Sequence, residues 1–91
     1  MNGKIEYLKT KIAEELRKLR AEKKLSQETV IDGINEKNGE KVINVGTLVR
    51  YENGTVLQSL DKLAMILEFY GIELDYFFKL IYENMYRNKE D

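Results

Sequence analysis

Residues 48–54 of the chain read Leu-Val-Arg-Tyr-Glu-Asn-Gly, a short amphipathic stretch that ends in a helix-stop signal. Asn followed by Gly favours a left-handed residue just past the end of a helix. Upstream, residues 25–28 read Leu-Ser-Gln-Glu, and Ser is a preferred N-cap for a new helix. Downstream, residues 59–61 read Ser-Leu-Asp and repeat that start signal. The order predicts three short helices in succession, separated by turns.

The composition limits the class of protein. The 91 residues contain no Cys, His, Trp or Pro, and 34% of them are charged. The absence of Cys excludes disulfides and thiolate metal sites, and the absence of His removes the commonest general base. The length fits one domain over residues 1–91, and the absence of Pro favours an all-helical chain.

Neither a membrane nor a metal is expected as a partner. The charged N-terminus does not have the form of a signal peptide, and no apolar run approaches the ~18 residues of a membrane span. A reducing cytoplasm is the expected compartment. The segment Asp32–Glu40 is only faintly similar to a calcium loop, because Ile34 stands where Asp or Asn is needed. We therefore expect no enzyme activity, no cofactor and no metal site.

Charge is distributed unevenly along a chain whose net charge is −1. Residues 1–25 carry a net charge of +4, residues 26–54 carry −2 and residues 55–91 carry −3. A basic N-terminal third and an acidic C-terminal third can orient a protein on a phosphate surface. Ordinary solvated helix faces would give the same pattern.

Apolar periodicity and capping residues predict five helices. The expected N-caps are Ser26, Asn44 and Ser59, and the expected stops are Asn38-Gly39, Asn53-Gly54 and Tyr70-Gly71. The predicted helices are Lys4–Lys23, Ser26–Asn38, Val45–Glu52, Leu60–Tyr70 and Asp75–Arg87.

Three blocks of sequence resemble the Cro/C1-type (XRE) helix-turn-helix family, the fold of phage lambda repressor DNA-binding domains. The blocks are residues 16–28, which hold Leu-Arg-Lys-Leu-Arg and Leu-Ser-Gln-Glu, residues 47–54, and residues 59–75. The resemblance spans about residues 16–78. It implies an all-α, five-helix lambda repressor-like domain.

The chain departs from the family pattern at two places. About seven extra residues separate Ile34 from Ile43, the apolar pair that flanks the tight turn of the family. We therefore expect a helix 2 that continues to Asn38 and an extended turn between helices 2 and 3. Helix 1 is also expected to be lengthened, because its apolar pattern covers Lys4–Lys23. In addition, Ile31 replaces the Ala that the family favours where helices 2 and 3 cross.

The resemblance implies a DNA-binding role for particular residues, because helix 3 of the family enters the major groove by its N-terminal half. Arg50 could pair with guanine or hold a phosphate. Asn44 could serve only as a cap, and the inserted Lys37 and Lys41 could contact phosphate or belong to a solvated loop. The candidate DNA-binding residues are Gln27, Asn44, Val45, Gly46, Thr47, Arg50, Asn53 and Thr55.

Two further sets of residues have structural roles in this interpretation. By resemblance, Arg20 and Glu52 would form an ion pair that joins helix 1 to helix 3. Residues 75–91 would provide self-association, with Leu74, Phe77 and Ile81 in the core. The candidate dimer-interface residues are Tyr82, Met85 and Tyr86, possible additions being Met65 and Phe69.

The leading function is a sequence-specific DNA-binding transcriptional regulator that acts as a homodimer on a palindromic operator. Phage-type repressors, antitoxins and controllers of restriction–modification operons share this size and plan. The alternative is a protein–protein interaction module on the same scaffold, for example an antitoxin or anti-repressor that binds a protein partner.

Overall fold

The computed structural model describes the backbone of residues 3–55 and 60–90, and the side chains of residues 3–55 and 60–83. Within those ranges the chain is all-helical, as the sequence predicts. The first helix has 21 residues, about 30 Å at 1.5 Å per residue, and it packs against the third and fifth helices. The expected N-cap Ser59 lies outside the described residues. The helices are α1 (Gly3–Lys23), α2 (Gln27–Asn38), α3 (Val45–Asn53), α4 (Leu60–Phe69) and α5 (Leu74–Glu90).

Left-handed residues end the first three helices. α2 and α3 end at Gly39 and Gly54, whose φ angles are 71° and 69°. At both ends, backbone amides beyond the helix donate to its last carbonyls, which satisfies groups that have no partner inside the helix. The stops predicted at these two glycines are confirmed. α1 ends in the same way at Lys24, with φ 56°, although the Cβ of Lys disfavours this conformation.

One core draws on every helix. Leu16 of α1, Val30 of α2, Leu48 of α3, Ile66 of α4 and Ile81 of α5 are almost wholly buried. Burial of a side chain of this size stabilises the fold by about 1.5–3 kcal/mol relative to leaving it exposed. The core therefore fixes α3 against α1 and α2, and a nine-residue helix needs that support because isolated short helices are marginal in water.

The extended turn lies between α2 and α3 and is anchored at both ends. Ile34 near the end of α2 and Ile43 just before α3 are both buried, as expected for the apolar pair that flanks the turn. α2 continues to Asn38, which confirms the predicted extra length. The insertion thus adds a turn to α2, and the chain then returns to the core at Ile43.

Gly33 allows α2 and α4 to pack closely. A Cβ built on Gly33 would lie 2.5 Å from Cε1 of Phe69, closer than real Cβ contacts permit. The ring of Phe69 is half-buried against α2, so part of the surface considered for self-association is used inside the protein. No helix in the described ranges combines the length and apolar character needed to cross a bilayer.

Candidate nucleic-acid interface

α3 has one buried side and one accessible side. Leu48, Tyr51 and Glu52 are buried, and so is Thr47. The other side carries residues at helical spacings of three and four, which place them on one face. The accessible residues of this face are Val45, Gly46, Val49, Arg50 and Asn53.

The N-terminal tip of α3 is open and well capped. Oδ1 of Asn44 accepts the backbone amide of Thr47 at 3.0 Å, so the expected cap is present. Val45, the first residue of the helix, is 37% exposed at the tip. A Cβ on Gly46 would lie 3.2 Å from Oδ1 of Asn44, so the bare backbone at this position suits the tightly wound cap.

Thr47 lies on the opposite side from the one expected for a base-reading residue. Its side chain is only 6% exposed, and its hydroxyl donates to Oδ1 of Asn44 at 3.3 Å. The physical reason is the helical phase: Thr47 precedes the core residue Leu48 and belongs to the same buried side. Thr47 therefore supports the tip of α3 rather than presenting its side chain at the surface.

Arg50 lies on the accessible face, one turn after the tip. Its Nη1 is 3.4 Å from the point where a Cβ of Gly46 would lie, so the guanidinium extends back toward the N-terminal half of α3. That direction places the positive charge beside the residues at the tip. A guanidinium so placed can donate to a base edge or to a phosphate.

The C-terminal end of α3 exposes side chains but not the backbone amides of its stop. The side chains of Asn53 and Thr55 are exposed. The backbone amides of Gly54 and Thr55, however, already donate to the carbonyls of Tyr51 and Arg50, at 3.2 Å in each case. These two amides are therefore not available to a phosphate.

A network of hydrogen bonds at Glu52 joins α1, α2 and α3. The carboxylate accepts from Nε and Nη2 of Arg20 at 2.8 and 2.9 Å, and from Nε2 of Gln27 at 3.0 Å. Arg17 donates to the backbone carbonyl of Glu52. The hydrogen bond from Arg20 to Glu52 raises the pKa of the guanidinium, which stays charged at all working pH values. Gln27, expected to reach DNA, is thus held against α3 with one amide hydrogen still available.

Tyr70 packs close to this network. Its hydroxyl is buried and has no hydrogen-bond partner among the residues described. Burial, together with the negative charge of Glu52, raises the pKa of Tyr70 from 10.0 to about 12, while the positive charge of Arg20 opposes the shift. The phenol is therefore neutral over the physiological range.

The two inserted lysines have different surroundings. Lys37 lies 3.9 Å from the carboxylate of Glu68 on α4, and both side chains are mostly exposed. Lys41 lines a shallow cleft of about 370 Å³ between α2 and the tip of α3, together with Glu28 and Asp32. The candidate interface therefore combines positive and negative groups, and only Lys41 of the two lies beside the tip.

Three residues near the site were missed by sequence reasoning. Val49 lies one turn after Val45 on the accessible face, and its spacing of four could have revealed it. Asn35 and Lys62 contact the backbone of the extended turn. No local pattern marks them, because their partners lie 8 and 20 residues away in sequence.

The apolar side of α5 divides between core and surface. Phe77 and Ile81 are buried, as expected for core residues, and Leu74 is half-buried. Tyr82, expected at a dimer interface, is 52% exposed, and Tyr76 on the same helix is also exposed. The side chains of Met85 and Tyr86, expected beside Tyr82, lie outside the described residues.

Comparison with known proteins gives one positive result. A sequence model of a protein family described as helix-turn-helix matches residues 16–77 of this chain. The match begins at Leu16 in α1 and ends at Phe77 in α5, so it takes in the whole of α2, α3 and α4. No curated protein and no solved structure matches the chain.

Proposed function

The chain belongs to the Cro/C1-type (XRE) helix-turn-helix family of DNA-binding transcription regulators, and from that premise we propose that it binds a palindromic operator as a homodimer. The observation that carries the proposal is the two-sided α3, which is packed on one side and open along the other up to its capped tip. A helix of this kind can be inserted into a major groove without disturbing the core.

Base recognition in this proposal comes from the accessible face of α3. The methyl groups of Val45 contact a thymine methyl, and Arg50 pairs with guanine O6 and N7. Asn44 faces the edge of the groove while it caps the helix. Gly46 has no side chain, so the DNA backbone can approach α3 closely at this position.

Phosphate contacts come from the residues around that face. Gln27 offers its remaining amide hydrogen at the start of α2, where the helix dipole also favours an anion. The side chains of Asn53 and Thr55 offer polar groups at the far end of α3. Lys41 adds a positive charge beside the tip.

A homodimer supplies the second recognition helix. Two half-sites one turn of DNA apart require the two tips to be ~34 Å apart. The exposed Tyr82 of α5 supports self-association through this helix, because tyrosine is enriched at protein–protein interfaces.

Selection of bound sites from random duplexes tests the proposal directly. We expect an enriched inverted repeat whose half-sites are centred about one helical turn apart. The affinity for the recovered duplex should fall with salt, with a log–log slope near −0.9 per phosphate neutralised. Recovery of no enriched sequence would contradict the proposal.

A protein-interaction module on this scaffold is the second candidate, and the charges on α2 favour it. Glu28, Asp32 and Glu36 follow one another at spacings of four, are exposed and share one face. Glu28 and Asp32 also line the cleft next to Val45. These carboxylates would repel phosphate and attract a basic protein surface. Absence of duplex binding even at low salt would favour this candidate.

A further inference from the structure

The extended turn is held by side chains from other elements. Residues 40–44 form no regular secondary structure, so their backbone groups need partners from elsewhere. Oδ1 of Asn35 accepts the amides of Val42 and Ile43 at 2.8 and 3.1 Å, and its Nδ2 donates to the carbonyl of Ile43 at 2.9 Å. Lys62 of α4 donates to the carbonyl of Val42. Both polar backbone groups of each of these two residues are therefore satisfied.

Only a carboxamide makes all three hydrogen bonds at the position of Asn35. Its oxygen accepts two hydrogen bonds while its nitrogen donates a third, so one side chain serves both N–H groups and one carbonyl. A carboxylate would lack the donor, and an aliphatic side chain would lack all three bonds. Since Ile43 is buried, its backbone groups have little access to water as a substitute.

The residues that Asn35 holds lead directly into the N-terminal tip of α3. Val42 and Ile43 immediately precede Asn44, whose side chain caps α3, and Val45 begins that helix. A shift of the turn would move the cap and change where the first turn of α3 lies. We propose that Asn35 is a positioning residue for DNA recognition: through the extended turn it fixes the tip of α3 in the place where it reads bases. This inference rests on the function proposed above.

The chain offers a matched control for testing Asn35. Asn38 is the same residue type, one turn further along α2, and its Nδ2 donates to the carbonyl of Ile34 at 2.8 Å. That bond stays within the helix and does not touch the turn. Asn35→Ala and Asn38→Ala therefore remove an Asn from neighbouring positions, but only the first releases residues 42 and 43.

The first measurement needs no DNA. Amide hydrogen exchange by NMR should show Val42 and Ile43 exchanging about tenfold or more faster in Asn35→Ala, because local opening controls exchange. Asn38→Ala should leave both rates unchanged. Asn35→Asp keeps the acceptor oxygen, so the amides of Val42 and Ile43 should exchange almost as slowly as in the wild type. This variant replaces Asn35→Ala in the comparison if Asn35→Ala does not fold. Unchanged exchange of both amides in Asn35→Ala would overturn the holding role.

The second measurement compares two duplexes, the one recovered by selection and a scrambled sequence of equal length. Circular dichroism first shows that each variant is folded. A change in overall charge or stability alters both affinities alike, so it cancels in their ratio. In Asn35→Ala the ratio should fall about tenfold, the loss of roughly one base contact. It should stay within about twofold of wild type in Asn38→Ala, which keeps every base contact.

The outcomes separate this inference from the proposed function. If the wild type discriminates between the duplexes and Asn35→Ala discriminates equally well, the positioning role is wrong and the function stands. If the wild type binds neither duplex, the proposed function is wrong and the role in recognition is lost with it. In that case the exchange rates still decide whether Asn35 holds the turn.

Discussion

The carboxylate of Glu52 is a single buried charge that connects three helices. Glu52 is 1% exposed, and its carboxylate accepts three hydrogen bonds, two from Arg20 and one from Gln27. Such a pair contributes little net stability when intact, because desolvation offsets the attraction. Removal of one partner is different, since it leaves the other charge and its donors without their acceptor.

Glu52→Ala should therefore lower the free energy of unfolding by about 3 kcal/mol, the lower end for a broken buried pair because Arg20 keeps some contact with solvent. Urea denaturation followed by circular dichroism measures this change. The control is Glu14→Ala, which breaks the exposed ion pair with Lys11. That change should cost less than about 1 kcal/mol. Equal stability of Glu52→Ala and wild type would rule out the structural role.

Tyr70 differs from Glu52 because its buried hydroxyl makes no hydrogen bond among the described residues and so does not stabilise the fold. The side chain is 8% exposed and the hydroxyl has no partner among the described residues. Tyr70→Phe keeps the ring and removes the desolvated hydroxyl. We expect the stability at pH 7 to be unchanged or higher by up to about 1 kcal/mol, measured as the shift in the urea midpoint. A decrease in stability of more than about 1 kcal/mol would show that the hydroxyl of Tyr70 makes a hydrogen bond.

The pH dependence of stability gives a second test of Tyr70. The unfolded chain releases the phenol proton near pH 10.0, while burial holds the pKa of the folded form at about 12. Between these values the unfolded state binds fewer protons, so stability falls as pH rises. The wild type should lose about 2 kcal/mol more than Tyr70→Phe between pH 9 and pH 12. Parallel stability profiles of the two proteins would contradict the shifted pKa.

At the scale of the element, the ends of the helices decide where α3 lies. α3 has nine residues, so its position depends on its cap, its stop and the side it buries. Gly54 satisfies two needs at the stop. Its φ is 69°, and a Cβ there would lie 3.4 Å from the carbonyl oxygen of Lys9 on α1. A side chain at this position would strain the backbone, and its Cβ would be in van der Waals contact with α1.

The end of α1 is the one described helix stop with a left-handed residue other than glycine. Lys24 has φ 56°, and the amides of Lys24 and Leu25 donate back to α1. Lys24→Gly should raise the free energy of unfolding by about 0.5–1 kcal/mol, because Gly adopts this conformation without a Cβ clash. Thermal or urea unfolding measures the gain.

Lys23→Gly is the matched control for this prediction, since Lys23 is the last residue of α1 itself. Gly within a helix is less favourable than other residues, so this variant should be less stable by up to about 1 kcal/mol. The two neighbouring substitutions should thus act in opposite directions. The same sign for both would show that the left-handed geometry at Lys24 carries no strain.

At the scale of the whole molecule, the proposed function requires two copies of the chain. The exposed Tyr82 of α5 is the described residue expected at their interface. Tyr82→Glu should shift sedimentation at tens of micromolar protein from dimer to monomer, because a carboxylate at an apolar contact must be desolvated. Operator affinity should fall with it.

Leu60→Glu is the control for the dimer prediction. Leu60 is exposed on α4, so the same change from apolar to acidic is made on a different helix. The control should sediment like the wild type. A monomeric wild type at these concentrations would contradict the homodimer, and equal dissociation of both variants would contradict the assignment to α5.

The sequence alone determined the helices and most of their burial. Caps and stops act over a few residues, so Ser26, Asn44, Gly39 and Gly54 could be identified locally, and all are found at helix ends. Residues 48–54 could be identified as amphipathic, and Leu48 and Tyr51 of this stretch lie in the core, since the helical repeat fixes which residues share a side. The resemblance named the family, which the match over residues 16–77 confirms.

Tertiary structure alone decided the surroundings of the candidate site. The engagement of Gln27 with Glu52 and the hold of Asn35 on the turn depend on how the helices pack. The bonds from Gln27 and Asn35 join residues 25 and 8 positions apart, and no local propensity or periodicity encodes such pairs. Short-range backbone energetics thus specify the helices, while the packing of their side chains determines which polar groups remain available at the surface.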